Sequence, residues 1–507
     1  MSRLIVVSNR VTVAAGQAAS QGGLAMGLGA ALRKFQGLWF GWSGETTEHF
    51  NGRTTSIEVE GAPVVTVDLE EQDVQEYYDG YANRTIWPLF HYRIDLTEYE
   101  RSFGQGYERV NRRFAETLKP MLEPDDLIWV HDYHLFPLGR DLRRLGVKNP
   151  IGFFLHIPWP ARQLLTTLPF HARLVESLFD YDLVGFQTQD WLQAFKDYVV
   201  DEAGGETLPG DCLRAFGRTI HTGAFPIGID AEEFEEVVRS PTAIRAYDLM
   251  AANCVFQSLV VGVDRLDYSK GLEERLYGFE QLLKDHPEYR GRTLLLQIAP
   301  PTRESVGAYQ EIRASLEAQC GRINGEFAET DWAPIRYVHK SYRRDELAGI
   351  YRAAKVGLVT PLRDGMNLVA KEYVAAQNPR DPGVLILSCF AGAAAQMREA
   401  LIVNPFSREE MSEALHRALS MELPERMRRW EALIEGVRRN DIAAWRDGFV
   451  AALRAARGMP SPEALEKLRA QELRGPRELG DTAPVAMSDG VRGREPGAAD
   501  ANHVGRS

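Results

Sequence analysis

Short apolar runs rich in valine, isoleucine and leucine recur along the chain, and segments with helical spacing alternate with them. They occupy residues 4–7, 37–45, 127–130, 151–155 and 183–186 in the first half, and 258–263, 294–298, 335–338, 356–359 and 384–388 in the second. Continuous apolar runs of this length are typical of strands buried on both faces of a parallel sheet. Their alternation with helices predicts an α/β fold of two doubly wound, Rossmann-like parallel sheets facing each other across a cleft.

The 507 residues are too many for one hydrophobic core, and the chain is expected to form two domains. A polar, helical stretch near residues 235–250 predicts an N-terminal domain of residues 1–240 and a C-terminal domain of residues 241–440. Residues 441–457 are predicted to form a last helix that packs back on the N-terminal domain. Residues 475–507 are rich in glycine, proline and charge, so we expect them to be disordered.

The net charge of −12 argues against nucleic acid or an anionic membrane as the main partner, so an anionic ligand would need a local basic site. The four scattered cysteines form no CxxC pair, which favours neither a zinc site nor a disulfide framework and fits a reducing cytoplasm. The first residues enter a strand directly, and no apolar run approaches the roughly 18 residues of a membrane span. Neither export nor membrane anchoring is expected.

The stretch 359–373, VTPLRDGMNLVAKEY, is the most informative part of the chain and predicts a strand, a loop and a helix. Gly365, Met366 and Asn367 open the helix, where unpaired N–H groups and the positive dipole end favour a phosphate or a sugar hydroxyl. Asp364 lies in the same mouth, and Glu372 lies one turn into the helix, where it could accept bonds from vicinal hydroxyls. An ordinary loop with Asp364 as a helix cap is the alternative.

Cations follow two strands of the second half. Arg265 and Lys270 come after the run 258–263, and Arg303 follows the run 294–298. Such residues are often only a solvated face, but in an acidic chain their place at strand ends favours a phosphate clamp. Neither GxGxxG nor a Walker A sequence occurs at these turns, so the dinucleotide and P-loop classes lose support.

No metal is predicted. Asp180 and Asp182 spell the DxD of metal-dependent glycosyltransferases, but they lead straight into the run 183–186 and are expected to flank the start of that strand. The segment HDYH at 131–134 likewise has no further ligands at a recognisable spacing.

Two other features are open to two interpretations each. The aromatic segment 76–93 could be core packing or an apolar platform for a sugar ring. The pair Gly22 and Gly23 could form a turn or let the backbone approach a ligand closely.

Motifs in this order resemble the trehalose-6-phosphate synthases, retaining glycosyltransferases of the two-domain GT-B class. The motifs include LIVVSNR, the Gly22-Gly23 loop, GLWFGWSGE, WVHDYHL, GFFLHIPWP, GVDRLDYSKGL and TPLRDGMNLVAKE. The resemblance covers about residues 3 to 455. It is specific because many separated motifs agree in order and spacing.

The resemblance implies transfer of glucose from UDP-glucose to glucose 6-phosphate, giving α,α-trehalose 6-phosphate and UDP with neither cofactor nor metal. Its implied glucose 6-phosphate pocket consists of Arg10, Tyr78, Trp87, Asp132 and Arg303; Tyr78 is chosen over Tyr77 by its spacing to Trp87. Its implied donor site consists of Gly22, Gly23, His156, Arg265, Lys270, Asp364, Gly365, Met366, Asn367, Leu368, Val369 and Glu372. The residues expected to act in catalysis are Asp132, His156, Arg265, Lys270 and Asp364.

Retention without an evident enzymic nucleophile suggests attack on the same face that UDP leaves, with the departing phosphate taking the acceptor proton. A role of Asp132 as a base is left open. The alternatives are a synthase using GDP- or ADP-glucose, one with an acceptor such as glycerol 3-phosphate, and a non-catalytic sugar-phosphate sensor. A cytoplasmic homo-oligomer, either a dimer or a tetramer, is expected.

Overall fold

The computed structural model describes residues 3–11, 37–59, 61–255, 257–303 and 306–456. The predictions for Gly22, Gly23 and the tail 475–507 fall outside these ranges. Within them, no helix is both long and apolar enough to cross a membrane.

The first sheet has ten strands in the order β3-β4-β2-β1-β5-β6-β7-β10-β9-β8. Its strands are β1 Leu4–Arg10, β2 Leu38–Thr47, β3 Thr54–Val59, β4 Ala62–Glu70, β5 Leu127–His131, β6 Ile151–Phe154, β7 Leu183–Phe186, β8 Glu206–Leu208, β9 Cys212–Ala215 and β10 Arg218–Ala224. In this spatial order, the seven strands β4, β2, β1, β5, β6, β7 and β10 are parallel to one another. Antiparallel strands extend the sheet at both edges.

The second sheet is parallel throughout, in the order β13-β12-β11-β14-β15-β16. Its strands are β11 Ser258–Val263, β12 Thr293–Ile298, β13 Ile335–Val338, β14 Val356–Val359, β15 Val384–Ser388 and β16 Leu401–Val403. The predicted fold class is confirmed, because most of the apolar runs are buried central strands of two Rossmann-like sheets and the run 335–338 forms an edge strand of the second.

Apart from six short 3-10 turns, fifteen helices are described around these sheets. They are α1 (Glu71–Asp73, Val74–Ile86 and Trp87–Phe90 in succession), α2 Arg101–Leu118, α3 Leu138–Arg144, α4 Arg162–Leu165, α5 His171–Leu178, α6 Gln189–Asp201, α7 Ala231–Val238, α8 Pro241–Asn253, α9 Leu272–Asp285, α10 Gly307–Phe327, α11 Arg344–Ala353, α12 Leu368–Ala376, α13 Arg408–Ser420, α14 Leu423–Arg439 and α15 Ile442–Ala456.

The aromatic segment 76–93 mostly belongs to α1, whose middle part, Val74–Ile86, is π-helical. π-Helical turns are rare, occur mostly as single-turn bulges within α-helices and are often found at functional sites. Helix α1 packs closely on α2, because a Cβ at Gly80 would collide with Phe103 and a Cβ at Gly106 would collide with Glu76. This packing sets the position of Tyr77, Tyr78 and Trp87.

Helix α15 lies against the first sheet although it follows the second along the chain. The ring of Phe449 stacks on Trp129 of β5 with 4.5 Å between centroids and 11° between planes. A Cβ at Gly152 of β6 would collide with Phe449, so the sheet has a small residue where the helix packs. Asp441 caps the helix by accepting a bond from the N–H of Ala444 at 2.7 Å.

Candidate active site

An ion pair between Lys270 and Asp364 lies at the carboxyl edge of the second sheet. Lys270 follows β11 and Asp364 follows β14, which are neighbouring strands. Lys270 Nζ lies 2.5 Å from Asp364 Oδ2, and both side chains are largely buried. Burial alone would raise the pKa of Asp364, but the Lys270 ammonium holds this pKa below its ordinary value. The ion pair therefore stays charged at the N-terminal end of α12.

Asn367, rather than Asp364, caps helix α12. Its backbone has φ 84°, and its side-chain oxygen accepts a bond from the N–H of Ala370 at 3.2 Å. Its Nδ2 donates to Asp364 Oδ2 at 3.1 Å, which fixes that carboxylate. The first-turn N–H groups at Leu368 and Val369 have no carbonyl partner within the helix, so they present a positive dipole end to the cleft.

Glu372 lies one turn further along α12 and is half-buried. Burial raises its pKa to about 7, against the opposing effect of Arg344, whose guanidinium forms its own ion pair with Glu233. A carboxylate that has lost part of its water is suited to accept bonds from ligand hydroxyls.

We expect Glu372→Gln to make the protein more stable near neutral pH and to change little near pH 5. The folded-state pKa of about 7 exceeds the ordinary 4.5, so between these values the native state retains a proton that the unfolded state has lost. Wild-type stability therefore falls as pH rises through this window, by up to about 3 kcal/mol, and the variant lacks this loss. Urea unfolding at about pH 5 and about pH 7.5 measures the change in unfolding free energy between the two pH values for the wild type and for Glu372→Gln.

The exposed Glu431 on α14 provides the matched control. Glu431→Gln should give the same difference in unfolding free energy between the two pH values as the wild type. An unchanged difference in Glu372→Gln would contradict a raised pKa at Glu372.

The two sheets meet at Gly365. A Cβ at this position would collide with the carbonyl oxygen of His156, which follows β6 of the first sheet. Trp191 Nε1 also donates to the carbonyl oxygen of Gly365 at 3.4 Å. Only glycine allows this approach, so the loop before α12 lies directly against the edge of the first sheet.

His156 and Asp132 lie side by side at that edge. The backbone N–H of His156 donates to Asp132 Oδ1 at 3.2 Å. Burial lowers the pKa of His156 to about 3 and raises the pKa of Asp132 to about 6. Asp132 has φ 76°, a strained conformation for a residue other than glycine and one often found at functional sites. The site therefore offers a neutral imidazole beside a carboxylate that titrates close to neutrality.

Arg303 and Trp87 join the two halves of the cleft. The Arg303 guanidinium lies 3.9 Å from the centroid of the Trp87 ring, and Arg303 Nη2 donates to the Tyr133 hydroxyl at 3.0 Å. Arg303 follows β12 of the second sheet, whereas Trp87 and Tyr133 belong to the first half of the chain. The backbone of Arg303 has φ 48°, so its contacts with Trp87 and Tyr133 are kept in spite of backbone strain.

Asp267, which sequence reasoning did not select, holds this cluster in place. Its fully buried carboxylate accepts bonds from Trp87 Nε1 at 3.4 Å, Arg303 Nη1 at 3.2 Å and the Tyr309 hydroxyl at 3.0 Å. Burial opposes ionisation, but Arg303 and then Arg265 lower the pKa of Asp267 to about 2. In the sequence Asp267 has the appearance of a turn residue, and it does accept a bond from the N–H of Ser269.

Tyr78 rather than Tyr77 lies in a position to reach a ligand. Tyr77 is fully buried, and its hydroxyl donates to Asn9 Oδ1 at 2.8 Å. Tyr78 is half-buried and stacks on His134, with 5.9 Å between centroids. Its other neighbour is Trp42, at 5.6 Å.

Arg10 ends β1 and is exposed, with its guanidinium 5.5 Å from the centroid of Trp42. Ring contacts connect Trp42 through Tyr78 to His134 and Tyr133. Because Tyr133 is hydrogen-bonded to Arg303, Arg10 and Arg303 lie at the two ends of one chain of side-chain contacts. Arg265 lies beside this chain of contacts, 5.7 Å from the Trp87 ring.

Two buried groups behind α12 were also missed by sequence reasoning. Lys371 Nζ donates to the carbonyl oxygen of Ile227 at 2.7 Å and to Gln396 Oε1 at 2.8 Å. Gln187 approaches Nδ1 of His156 at 3.4 Å and accepts a bond from the N–H of Ile227. These contacts join α12 and His156 to the segment between the sheets, and no local spacing in the sequence marks them.

The two predicted DxD carboxylates bind arginines. Asp180 pairs with Arg218 at 2.8 Å, and Asp182 pairs with Arg143 at 2.7 Å. Both residues precede β7, at the opposite end of that strand from the cleft.

Two facing Rossmann-like sheets, with cations and a helix N-terminus gathered between their carboxyl edges, define a glycosyltransferase of the GT-B class. The model of glycosyltransferase family 20 matches residues 2–455. The chain belongs to glycosyltransferase family 20.

Named relatives support this assignment. A trehalose-6-phosphate synthase from Cronobacter sakazakii is 46% identical over 450 residues, which cover 89% of this chain and 94% of the relative. A crystal structure of an alpha,alpha-trehalose-phosphate synthase (UDP-forming) from Burkholderia xenovorans in complex with glucose-6-phosphate is 49% identical, with a TM-score of 0.86 and coverage of 89% and 100%. An E. coli structure bound with UDP-2-fluoro glucose is 44% identical, with a TM-score of 0.86 and coverage of 90% and 100%.

Proposed function

We propose that the protein transfers glucose from UDP-glucose to glucose 6-phosphate with retention of configuration, forming α,α-trehalose 6-phosphate and UDP. The observation that carries the proposal is the Lys270–Asp364 pair at the mouth of α12, opposite the Arg303–Trp87 cluster. The similarity to UDP-forming synthases over about nine-tenths of the chain supports the choice of substrates.

The donor occupies the edge of the second sheet. Arg265 and Lys270 neutralise the diphosphate, and the N–H groups from Gly365 to Val369 accommodate the distal phosphate and the glucose hydroxyls. Asp364 binds a glucose hydroxyl while it holds Lys270, and Glu372 accepts bonds from the ribose hydroxyls. His156 contacts the donor sugar as a neutral imidazole.

The acceptor occupies the surface between Arg10 and Arg303. These two guanidinium groups bind the phosphate of glucose 6-phosphate, and the second is held by Asp267 and Tyr133. Tyr78 and Trp87 provide aromatic contacts for the sugar ring. Asp132 accepts a bond from the acceptor hydroxyl and orients it toward the donor sugar.

In the proposed reaction the bond between the anomeric carbon and the distal phosphate oxygen breaks as the acceptor oxygen bonds to the same carbon. The electron pair of the broken bond stays on UDP, where Arg265, Lys270 and the amide dipoles stabilise the charge. The acceptor proton passes to the departing phosphate oxygen. Since acceptor and leaving group occupy the same face of the sugar, configuration is retained without a covalent enzyme intermediate.

The test is release of UDP from UDP-glucose in the presence of glucose 6-phosphate and EDTA, with UDP-glucose alone as the control for hydrolysis. We expect turnover that depends on glucose 6-phosphate and persists in chelator. Turnover only with GDP- or ADP-glucose, or only with glycerol 3-phosphate, would replace the substrates. Binding of glucose 6-phosphate without turnover of any nucleotide sugar would favour a sensor.

The wider organisation is part of the proposal. The N-terminal domain, residues 1–240, binds the acceptor, and the C-terminal domain, residues 241–440, binds the nucleotide sugar. The stacking of α15 on Trp129 supports assigning residues 441–457 to the first of these domains. We propose a cytoplasmic homo-oligomer, a dimer or a tetramer, whose state light scattering would measure.

A further inference from the structure

Two histidines and a glutamate meet outside the cleft, where α9 ends beside α13. His286 directly follows α9, Glu288 lies in the turn Pro287–Tyr289, and His416 is on α13. The two imidazole rings are stacked, with 3.9 Å between centroids and 4° between planes. One ligand atom from each of the three side chains lies within 4.8 Å of the other two.

One distance within the cluster already matches that of a tetrahedral metal site. Zinc binds imidazole nitrogen and carboxylate oxygen at about 2.0 to 2.2 Å, so neighbouring ligand atoms lie about 3.3 Å apart. His286 Nδ1 and Glu288 Oε1 already lie 3.3 Å apart. Because the two rings are parallel, one imidazole must turn out of the stack before both ligand nitrogens can face the same ion. Glu288 is exposed and both histidines are half-buried, which leaves room for this rotation and for a water ligand.

An outer hydrogen bond orients one of the rings. The Tyr289 hydroxyl lies 3.0 Å from Nδ1 of His416. Histidines that bind metals usually engage their second nitrogen in this way, which fixes the ring and leaves Nε2 as the ligand.

The surrounding backbone also favours a cation. His286 directly follows the carboxyl end of α9, so the negative end of that helix dipole lies beside the cluster. Asp285 adds a carboxylate, and it accepts a bond from Ser412 of α13 at 2.9 Å.

We propose that His286, Glu288 and His416 bind a divalent transition metal of the zinc class. The metal links α9 to α13 and stabilises the second half of the chain. The 14 residues of α9 separate the site from Lys270 by about 20 Å, so the metal takes no part in glucose transfer. His416 lies far along the sequence from His286 and Glu288, so no spacing motif marks the whole site.

The test is calorimetric titration of the full chain, freed of metal with EDTA and then dialysed, with ZnCl₂ and separately with MgCl₂. We expect one equivalent of zinc, no comparable binding of the hard cation magnesium, and at least about a tenfold loss of affinity in His286→Asn and in His416→Gln. Co²⁺ should give a visible spectrum of a four-coordinate ion. Saturating zinc should raise the unfolding temperature by about 5 °C.

Two further variants keep the result decisive. Glu288→Gln changes an exposed side chain, so it should weaken zinc binding without affecting the fold. His221→Asn is the matched control, because His221 is also half-buried and lies 3.2 Å from the Cys212 sulfur. No zinc binding by the wild type, or binding that is lost in His221→Asn and kept in the other variants, would overturn the proposal. The UDP-release assay is independent of this result.

Discussion

Replacing Asp364 by alanine is expected to lower the rate of glucose transfer by about 10³-fold, because the change affects three groups at once. The carboxylate holds Lys270 at 2.5 Å, receives the Asn367 amide at 3.1 Å and, as proposed, binds a donor hydroxyl. Loss of a single group aimed at a developing charge typically costs about 10² to 10³ in rate. Initial rates of UDP release at saturating concentrations of both substrates measure the effect.

Stability must be separated from catalysis, since Asp364→Ala leaves a buried ammonium without its partner. Asp126 provides the matched control, because it is a buried carboxylate bonded to Arg3 at 2.7 and 2.9 Å near the opposite end of the first sheet. Asp126→Ala should lower the free energy of unfolding and leave the rate per folded molecule unchanged. Wild-type turnover in folded Asp364→Ala would remove Asp364 from the site.

Most of the buried parallel strands could be predicted from the sequence almost to the residue, whereas β4, β10 and β16 were not predicted. Strands β7, β11 and β15 have the predicted bounds, because a strand buried on both faces must be apolar throughout and its polar neighbours mark both ends. The edge strands of the first sheet, β3 and β8, were not predicted. β3 reads TTSIEV and is largely exposed, so no apolar run marks it, and its pairing with β4 depends on contacts with the rest of the sheet.

At the site, too, residues marked by their local sequence could be predicted, whereas residues that depend on distant contacts could not. Asp364, Lys270 and Arg303 could be selected because cations and carboxylates at the ends of buried strands meet at one sheet edge. Asp267 could not, because its significance comes from Trp87, which lies 180 positions earlier, and from Tyr309 on a later helix. The roles assigned to all these residues stay predictions until variants are measured.

Replacing Arg303 by alanine is expected to raise the KM for glucose 6-phosphate by about 30- to 100-fold and to change the KM for UDP-glucose by less than about threefold. A charge-assisted bond to a phosphate contributes about 2 to 3 kcal/mol, which corresponds to this range. Arg303→Lys should recover only part of the loss, since an ammonium cannot form the bidentate contact or the flat stack on Trp87. Initial-rate measurements with each substrate varied in turn give both constants.

Asp267→Asn tests whether the guanidinium must also be held in place. The amide removes the negative charge beside Arg303 but keeps the size of the side chain, so we expect a smaller rise in the KM for glucose 6-phosphate, about tenfold, without unfolding.

Arg426→Ala is the control for Arg303→Ala, because Arg426 is another largely buried arginine and forms its ion pair with Asp381 at 2.7 Å. Equal effects of Arg303→Ala on both KM values would contradict its place at the acceptor phosphate. An Asp267→Asn variant with wild-type constants would show that Tyr133 and Trp87 suffice to position Arg303.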